Sequence, residues 1–222
     1  MDTEQNIQKV IAIDGPSASG KGTVAAKVAA ALGFDYLDSG ALYRLAALYA
    51  QKQGIAWHDE ANVAAAAESL PVVFADGAVC LDGEDVSSEI RTEAVGMGAS
   101  SVAKLPQVRQ ALLQRQRSFL TDKGLVADGR DMGSVVFPNA VLKVFLTADA
   151  QIRAQRRALQ LGVPTQGLAF DRILSDIEAR DEADRRRELA PLKQLPDALL
   201  LDTTYLNVDE AVKKVLDWYH EV

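Results

Sequence analysis

The stretch Val10–Ala30, VIAIDGPSASGKGTVAAKVAA, sets Gly15, Gly20 and Gly22 around one lysine, Lys21, between an apolar run and an alanine-rich segment. Val10 to Ile13 is a short β-branched run of the kind that forms a buried strand. From Thr23 onward, Val24, Val28 and the alanines read as a helix with a small-residue face. The turn between them runs Gly15, Pro16, Ser17, Ala18, Ser19, Gly20, Lys21, Gly22, Thr23. Glycines let such a loop wrap its backbone N–H groups around an anion, and the helix N-terminus adds a positive dipole end. Lys21 brings a full charge to the same point. The pattern matches the glycine-rich phosphate-loop (P-loop) signature except at Gly22, where the plain form carries Ser or Thr. A glycine-rich turn with a solvent lysine is the bland alternative, and the strand before and helix after favour the phosphate loop.

Composition sets the outer bounds. The 222 residues are 48% hydrophobic and 25% charged, an ordinary globular chain with ample core. The length suits one α/β domain with insertions over residues 1–222. A lone cysteine, Cys80, cannot form an internal disulfide, which predicts the reducing cytoplasm as the compartment. The N-terminal MDTEQNIQKV is too polar for a signal peptide, and no apolar stretch reaches bilayer length, so no membrane partner is expected. A net charge of −7 argues against a general binder of polymeric nucleic acid. An acidic chain that binds phosphates must gather its cations locally, so its arginines should be clustered.

Strands and helices alternate outward from the loop. FDYLDSG offers a second strand ending at Asp38, after which Ser39 or Asp38 caps a helix closed by Gly54. GLVADGRD, LKVFLTAD and DALLLDTT supply three more apolar runs, with helices over Ala150–Leu161 and Val208–Tyr219. Five such strands with crossover helices predict a parallel sheet covered on both faces. Polar residues gather at the strand ends, where open α/β sheets bind ligands: Asp14, Asp38 and Ser39, Asp128 to Asp131, Asp149, Asp202 and Thr203.

The region 55–107 behaves differently. It alternates around Asp76-Gly77 and Asp82-Gly83, dipeptides that favour hairpins, and predicts a small antiparallel inserted sheet flanked by helices. A loose loop at Asp76-Gly77 is the alternative. The core is then expected over 1–54, 108–152 and 191–222, and a helical lid over 153–190.

The lid carries the expected arginines. Arg153 and Arg157 share a helix face with Arg156 alongside, and GVPTQGLAF breaks the chain before the next helix. That helix buries Phe170, Ile173, Leu174 and Ile177, then continues into EARDEADRRRELAP with Pro191 as its limit. On it Arg180, Asp184 and Arg187 fall on one face. A solvated row of ion pairs is the ordinary reading of such a run. Beside a phosphate loop, two arginine-lined helices read better as a lid over polyphosphate.

Asp128 ends an apolar run where a phosphate-loop protein presents a metal-binding carboxylate, making it the candidate magnesium ligand; a turn Asp before Gly129 is the alternative. The histidines, His58 and His220, lie away from the strand ends, and no Cys/His cluster suggests zinc. The absence of an obvious general base suits transfer to a phosphate acceptor, whose oxygen is already anionic. Such a protein must hold two polyanions in line and neutralise the moving charge.

The chain resembles the bacterial cytidylate kinases, within the nucleoside monophosphate kinase family. The resemblance runs nearly end to end, through IAIDGPSASGKGT, LDSGALYR, GEDVSSEIRT, VADGRDMGSVVFP and EARDEADRRRELAPL. Gly22 is usual in that family. The resemblance implies ATP-dependent phosphorylation of CMP and dCMP by a monomer, with Mg2+ accompanying ATP. It implies ATP phosphates on the loop Gly15–Thr23, with Lys21, Arg130 and Arg187 catalytic. The monophosphate is expected around Ser39, Tyr43, Arg44 and Arg130, and the cytosine at Ser100, Arg109 and Asp131, with Ser101 able to replace Ser100. A carboxylate suits the cytosine N4 donor. Arg180 and Asp184 would meet the pentose, while Arg153, Arg156, Arg157 and Arg187 would close on phosphates or adenine. The alternatives are a phosphate-loop kinase for UMP or a non-nucleotide acceptor, and a nucleotide-dependent switch. The last lacks the Asn-Lys-x-Asp guanine reader.

Overall fold

The first apolar run forms the middle strand of a five-stranded sheet in a computed structural model that describes residues 8–75 and 78–222. The chain divides into two compact units, residues up to 37 with 119–222, and residues 38–118.

In the first unit, β1 (Gln8–Asp14) leads through the glycine loop into α1 (Lys21–Leu32), and β2 (Asp35–Asp38) follows. The second unit runs from α2 (Ser39–Lys52) through α3 (Glu60–Glu68), β3 (Val72–Ala75), β4 (Ala78–Leu81), β5 (Glu84–Asp85) and α4 (Glu93–Val102) to α5 (Pro106–Arg117). The chain then returns to the first unit with β6 (Leu125–Gly129), a π-helical turn over Met132–Val136 and β7 (Ala140–Thr147). It ends with α6 (Ala150–Leu161), α7 (Leu168–Arg185), β8 (Leu199–Asp202) and α8 (Val208–His220).

The sheet order is β2-β6-β1-β7-β8, and β1 pairs in parallel with both neighbours. The chain leaves β1 toward β2 on one side and later builds β7 and β8 on the other. The carboxyl end of β1 is therefore a topological switch point, the place where such sheets bind ligands. Ile11 and Ile13 face α1 and α8, in a cluster with Val28, Val144, Leu146 and Val215. Val10 and Ala12, on the opposite face, are equally buried. Burial on both faces is why the strand reads as a continuous apolar run rather than an alternating one.

The second unit holds the small antiparallel sheet, in the order β3-β4-β5. Asp82 and Gly83 both take positive φ, 51° and 82°, as a two-residue hairpin between Leu81 and Glu84 requires. The Asp76-Gly77 reading lies outside the described residues. The alanines of α3 are small enough to sit against α2 and α5. Gly98 of α4 gives up its side chain to the Trp57 ring, since a Cβ there would lie 2.5 Å from it.

Of the two caps the sequence offers for α2, Asp38 is the one used, accepting from the Ala41 N–H at 2.9 Å. Two local readings differ from the structure. Helix α1 starts at Lys21 rather than Thr23, because Gly20 takes the left-handed conformation at its N-cap. Helix α7 stops at Arg185, short of Pro191, because the Asp184 carbonyl accepts from Leu192 N–H at 2.9 Å instead of continuing the helix. The compact unit that holds the inserted sheet also takes in helices α2 and α5, over 38–118.

Ile13 is fully buried between the sheet and its helices. Ile13→Ala is expected to cost about 2–5 kcal/mol of unfolding free energy, read from urea denaturation with an unchanged m-value.

Candidate active site

Gly15 follows β1 at a point where the loop backbone passes the end of β7. A Cβ on Gly15 would lie 2.0 Å from the Leu146 carbonyl oxygen, so no side chain fits. Ala18 and Gly20 take positive φ, 55° and 88°, which folds the loop back over the start of α1. No side chain caps α1 and its first turn holds no acidic residue, so its N-terminal N–H groups face the loop with their dipole unopposed by a carboxylate of the helix. Ser19 Oγ is buried without a hydrogen-bond partner.

The loop is held by its carbonyls. Arg153 donates from Nη1 to Ser17 O at 3.0 Å and from Nε to Ala148 O at 2.9 Å. Its Nη2 pairs with Asp181 of α7 at 2.7 Å, both side chains being almost fully buried, and Asp181 also accepts from Ser17 N–H at 3.4 Å. Arg156 donates to Ser19 O at 3.3 Å and to Thr203 O at 2.6 Å. Thr203 in turn donates to Thr147 O at 3.1 Å. Lys21 Nζ, the charge at the loop, donates to Pro16 O at 3.3 Å. Burial pushes the Arg156 pKa down, with Asp202 opposing.

A second network stands over the loop. Arg130, just past β6, donates from Nη2 to Ser17 Oγ at 2.9 Å and from Nε to Asp184 at 2.6 Å. Arg187 donates to the other oxygen of Asp184. Burial alone would raise the Asp184 pKa, but Arg130 and Arg187 outweigh it and hold the carboxyl below its usual range. Arg180 is pushed down by burial, with Asp184 opposing. Arg187 thus stands beyond α7, not on its face, yet the chain brings it back to Asp184. The ordinary ion-pair reading suits Arg185 and Arg186, which pair with Glu182 on the exposed side of the run. Arg157 is half-buried on α6.

Asp128, at the end of β6, is buried and accepts from the Tyr36 hydroxyl at 2.7 Å. A Cβ on Gly22 would lie 3.7 and 3.9 Å from its two oxygens, so the carboxylate faces the first turn of α1 behind Lys21. Asp131 is buried next to Arg130. Asp14, at the end of β1, accepts from Met132 N–H at 2.8 Å and Gly133 N–H at 2.9 Å, and burial raises its pKa to about 6 against those bonds.

The second unit carries the remaining candidates. Ser39, buried at the start of α2, accepts from Gln116 Nε2 at 2.8 Å. One turn on, Tyr43 is buried and Arg44 donates to Ile90 O at 2.9 Å. Gly96 leaves room for that guanidinium, which lies 3.3 Å from a Cβ placed there. Ser100 donates to Gly96 O at 3.1 Å, and Arg109 to Ala103 O at 3.4 Å. Sequence reasoning missed Asp14, Asp181, Thr203 and Gln116 as structural partners of these groups. Asp14 and Thr203 stood among strand-end polar residues, which was a signal for them; Asp181 and Gln116 carried none, because their partners lie 28 and 77 residues away along the chain.

A parallel sheet whose switch point bears a glycine-rich loop, with arginines brought to it from α6 and from the segment after β6, defines a phosphotransferase of the P-loop class. The sequence profile of the family described as cytidylate kinase matches residues 11–221. The chain is 74% identical over 217 residues to a cytidylate kinase of Neisseria meningitidis serogroup C, covering 98% of this chain and 100% of that one. It is 61% identical to that of Chromobacterium violaceum, covering 96% of each, and 57% identical to that of Burkholderia cenocepacia, covering 95% and 92%. The chain belongs to the cytidylate kinase family.

Gly15→Ala forces the loop and the end of β7 apart. It is expected to cost about 1–3 kcal/mol or more of stability and to lower the turnover with ATP, measured by thermal unfolding and initial rates on one preparation.

Proposed function

We propose that this chain transfers the γ-phosphoryl group of ATP to CMP and dCMP, giving CDP and dCDP within pyrimidine nucleotide metabolism. The observation that supports this most is the position of Arg130. One guanidinium touches Ser17 of the phosphate loop and Asp184, beside the buried Asp131. A cation there is placed to meet both the donor phosphates and an acceptor phosphate. The single cysteine fits the cytoplasm as the site of action, and the reading takes the chain as a monomer.

In this reading the loop Gly15–Thr23 cradles the ATP phosphates, and Ser19 Oγ, buried without a partner, becomes a donor to a phosphate oxygen. An oxygen of the CMP phosphate, already anionic near neutral pH, attacks the γ-phosphorus as the bond to the β-phosphate oxygen breaks and ADP leaves. No side chain need take a proton from the acceptor. Lys21, Arg130 and Arg187 neutralise charge as it moves. Ser39, Tyr43 and Arg44 bind the acceptor phosphate, and Ser100 or Ser101, Arg109 and Asp131 read the base. Arg180 and Asp184 meet the pentose, and Arg157 adds charge from α6. Arg153 and Arg156 act through the loop, whose carbonyls they hold.

Mg2+ fits this donor set. Among the described residues no group of three or more His, Cys, Asp or Glu could hold a metal ion alone. Mg2+ instead takes one or two carboxylates plus substrate phosphates. Asp128, facing the first turn of α1, is placed to hold it through its oxygens, and the ion would supply charge neutralisation on the phosphates.

Lys21→Ala is expected to leave the fold intact and lower kcat by on the order of a hundredfold or more in a coupled ADP-release assay. Near wild-type turnover in the folded variant would overturn the loop assignment. Asp131→Ala tests the base. UMP presents an acceptor oxygen where CMP presents donor hydrogens, so a buried carboxylate favours CMP by roughly 10⁴ or more. The variant should lose efficiency with CMP and change little with UMP. Equal losses with both would reduce Asp131 to a turn residue.

A further inference from the structure

The carboxylate that holds the peptide groups after Asp131 comes from the neighbouring strand, where Asp14 lies in register with Gly129. Asp131 occupies the N-cap position of the π-helical turn Met132–Val136. An Asp at that position ordinarily spends its side chain on the first free N–H groups of its own helix. Here it makes no cap bond. Asp14 does that task from β1, accepting Met132 N–H on one oxygen and Gly133 N–H on the other. The Asp131 carbonyl is held as well, by Val135 N–H at 2.9 Å and Val136 N–H at 3.2 Å, the second being the wide π-type bond. Hydrogen bonds therefore hold the carbonyl of Asp131 and the two N–H groups that follow it, which fixes the backbone from which its side chain departs.

Two further observations bear on the same point. Asp14 is the last residue of β1 and directly precedes Gly15, so the carboxylate links the start of the phosphate loop to the segment that follows Arg130 and Asp131. Burying it is costly, as its raised pKa records, and of the two N–H groups it holds, that of Gly133 is one that an N-cap residue such as Asp131 ordinarily takes. The capping of this turn therefore falls to Asp14 and not to Asp131.

We infer that Asp14 is a specificity-positioning residue: by capping the turn Met132–Val136 in place of Asp131, it sets the orientation in which Asp131 reads the acceptor base. The inference rests on the proposed base-reading role of Asp131. Asp14 has both oxygens engaged by the N–H groups of Met132 and Gly133. Its contribution is to the geometry of a carboxylate whose discrimination between a donor and an acceptor on the base falls steeply with misplacement.

The test measures kcat/KM for CMP and for UMP at saturating ATP in the full-length chain, wild type, Asp14→Asn, Asp14→Ser and Asp131→Ala. Both Asp14 substitutions remove a buried carboxylate without adding bulk, and the pair guards against one of them failing to fold. The ratio of the two efficiencies cancels the concentration of active enzyme, so partial unfolding does not move it. Asp14→Asn and Asp14→Ser are expected to lower the CMP-to-UMP ratio by on the order of ten- to a hundredfold, the scale of loss for a group displaced by about 1 Å. Loss of activity with an unchanged ratio in both, while Asp131→Ala collapses it, overturns the role of Asp14 and leaves base reading by Asp131 standing. A ratio unchanged in Asp131→Ala as well overturns both.

Discussion

A loop that turns its N–H groups toward an anion must turn its carbonyls outward, and those carbonyls need donors. The rest of this active-site half depends on meeting that need. The Ser17 carbonyl takes Arg153, the Ser19 carbonyl takes Arg156, and the Pro16 carbonyl takes Lys21. Arg153 in turn is neutralised by Asp181, the two side chains being 6% and 4% exposed. A buried pair of this kind contributes little net stability, but removing one partner leaves a buried charge and is strongly destabilising. The pair ties α6 and α7 to the loop, so these two helices and the glycine loop are positioned by the same bonds.

The same logic explains how an acidic chain handles polyanions. Its net charge of −7 is distributed so that guanidiniums meet at the switch point, each with an acidic or carbonyl partner. Asp184 sits between Arg130 and Arg187 and keeps two like charges close together. With its pKa held below the usual range, that carboxylate adds stability above the ordinary Asp pKa that is lost as the pH falls through its folded value. Asp14 has the opposite sign. Its raised pKa means that folding is favoured while it is protonated, and that this advantage is lost as the pH rises from its ordinary value to about 6. Retaining a carboxylate there despite that cost is understandable if two backbone N–H groups must be held from outside their own turn.

The second unit shows a quieter form of positioning. Gln116 is buried on α5 and donates to Ser39, so the serine oxygen is held from behind by a group 77 residues away. Gly96 and Gly98 on α4 make room for Arg44 and for the Trp57 ring. A neutral amide thus fixes a serine, and two glycines leave the space that larger side chains occupy.

Sequence alone determined the elements whose signals are local. The β-branched run, the glycine loop and the strand-end acids specified a parallel sheet with an anion site, because periodicity and backbone freedom act over a few residues. The Asp82-Gly83 hairpin was legible for the same reason, since few residues tolerate positive φ at two successive positions. The family motifs marked Arg130, Asp131 and Asp184 as a group. Tertiary structure decided what no local pattern encodes. It ended α7 at Arg185 through a bond from Leu192, and gave Arg153 and Arg156 to the loop carbonyls. It assigned the capping of the turn after Asp131 to Asp14, 118 residues from Met132. Each of these outcomes is a choice of hydrogen-bond partner between segments far apart in the chain, and such a choice exists only once packing has brought the candidates together and removed water as the competitor.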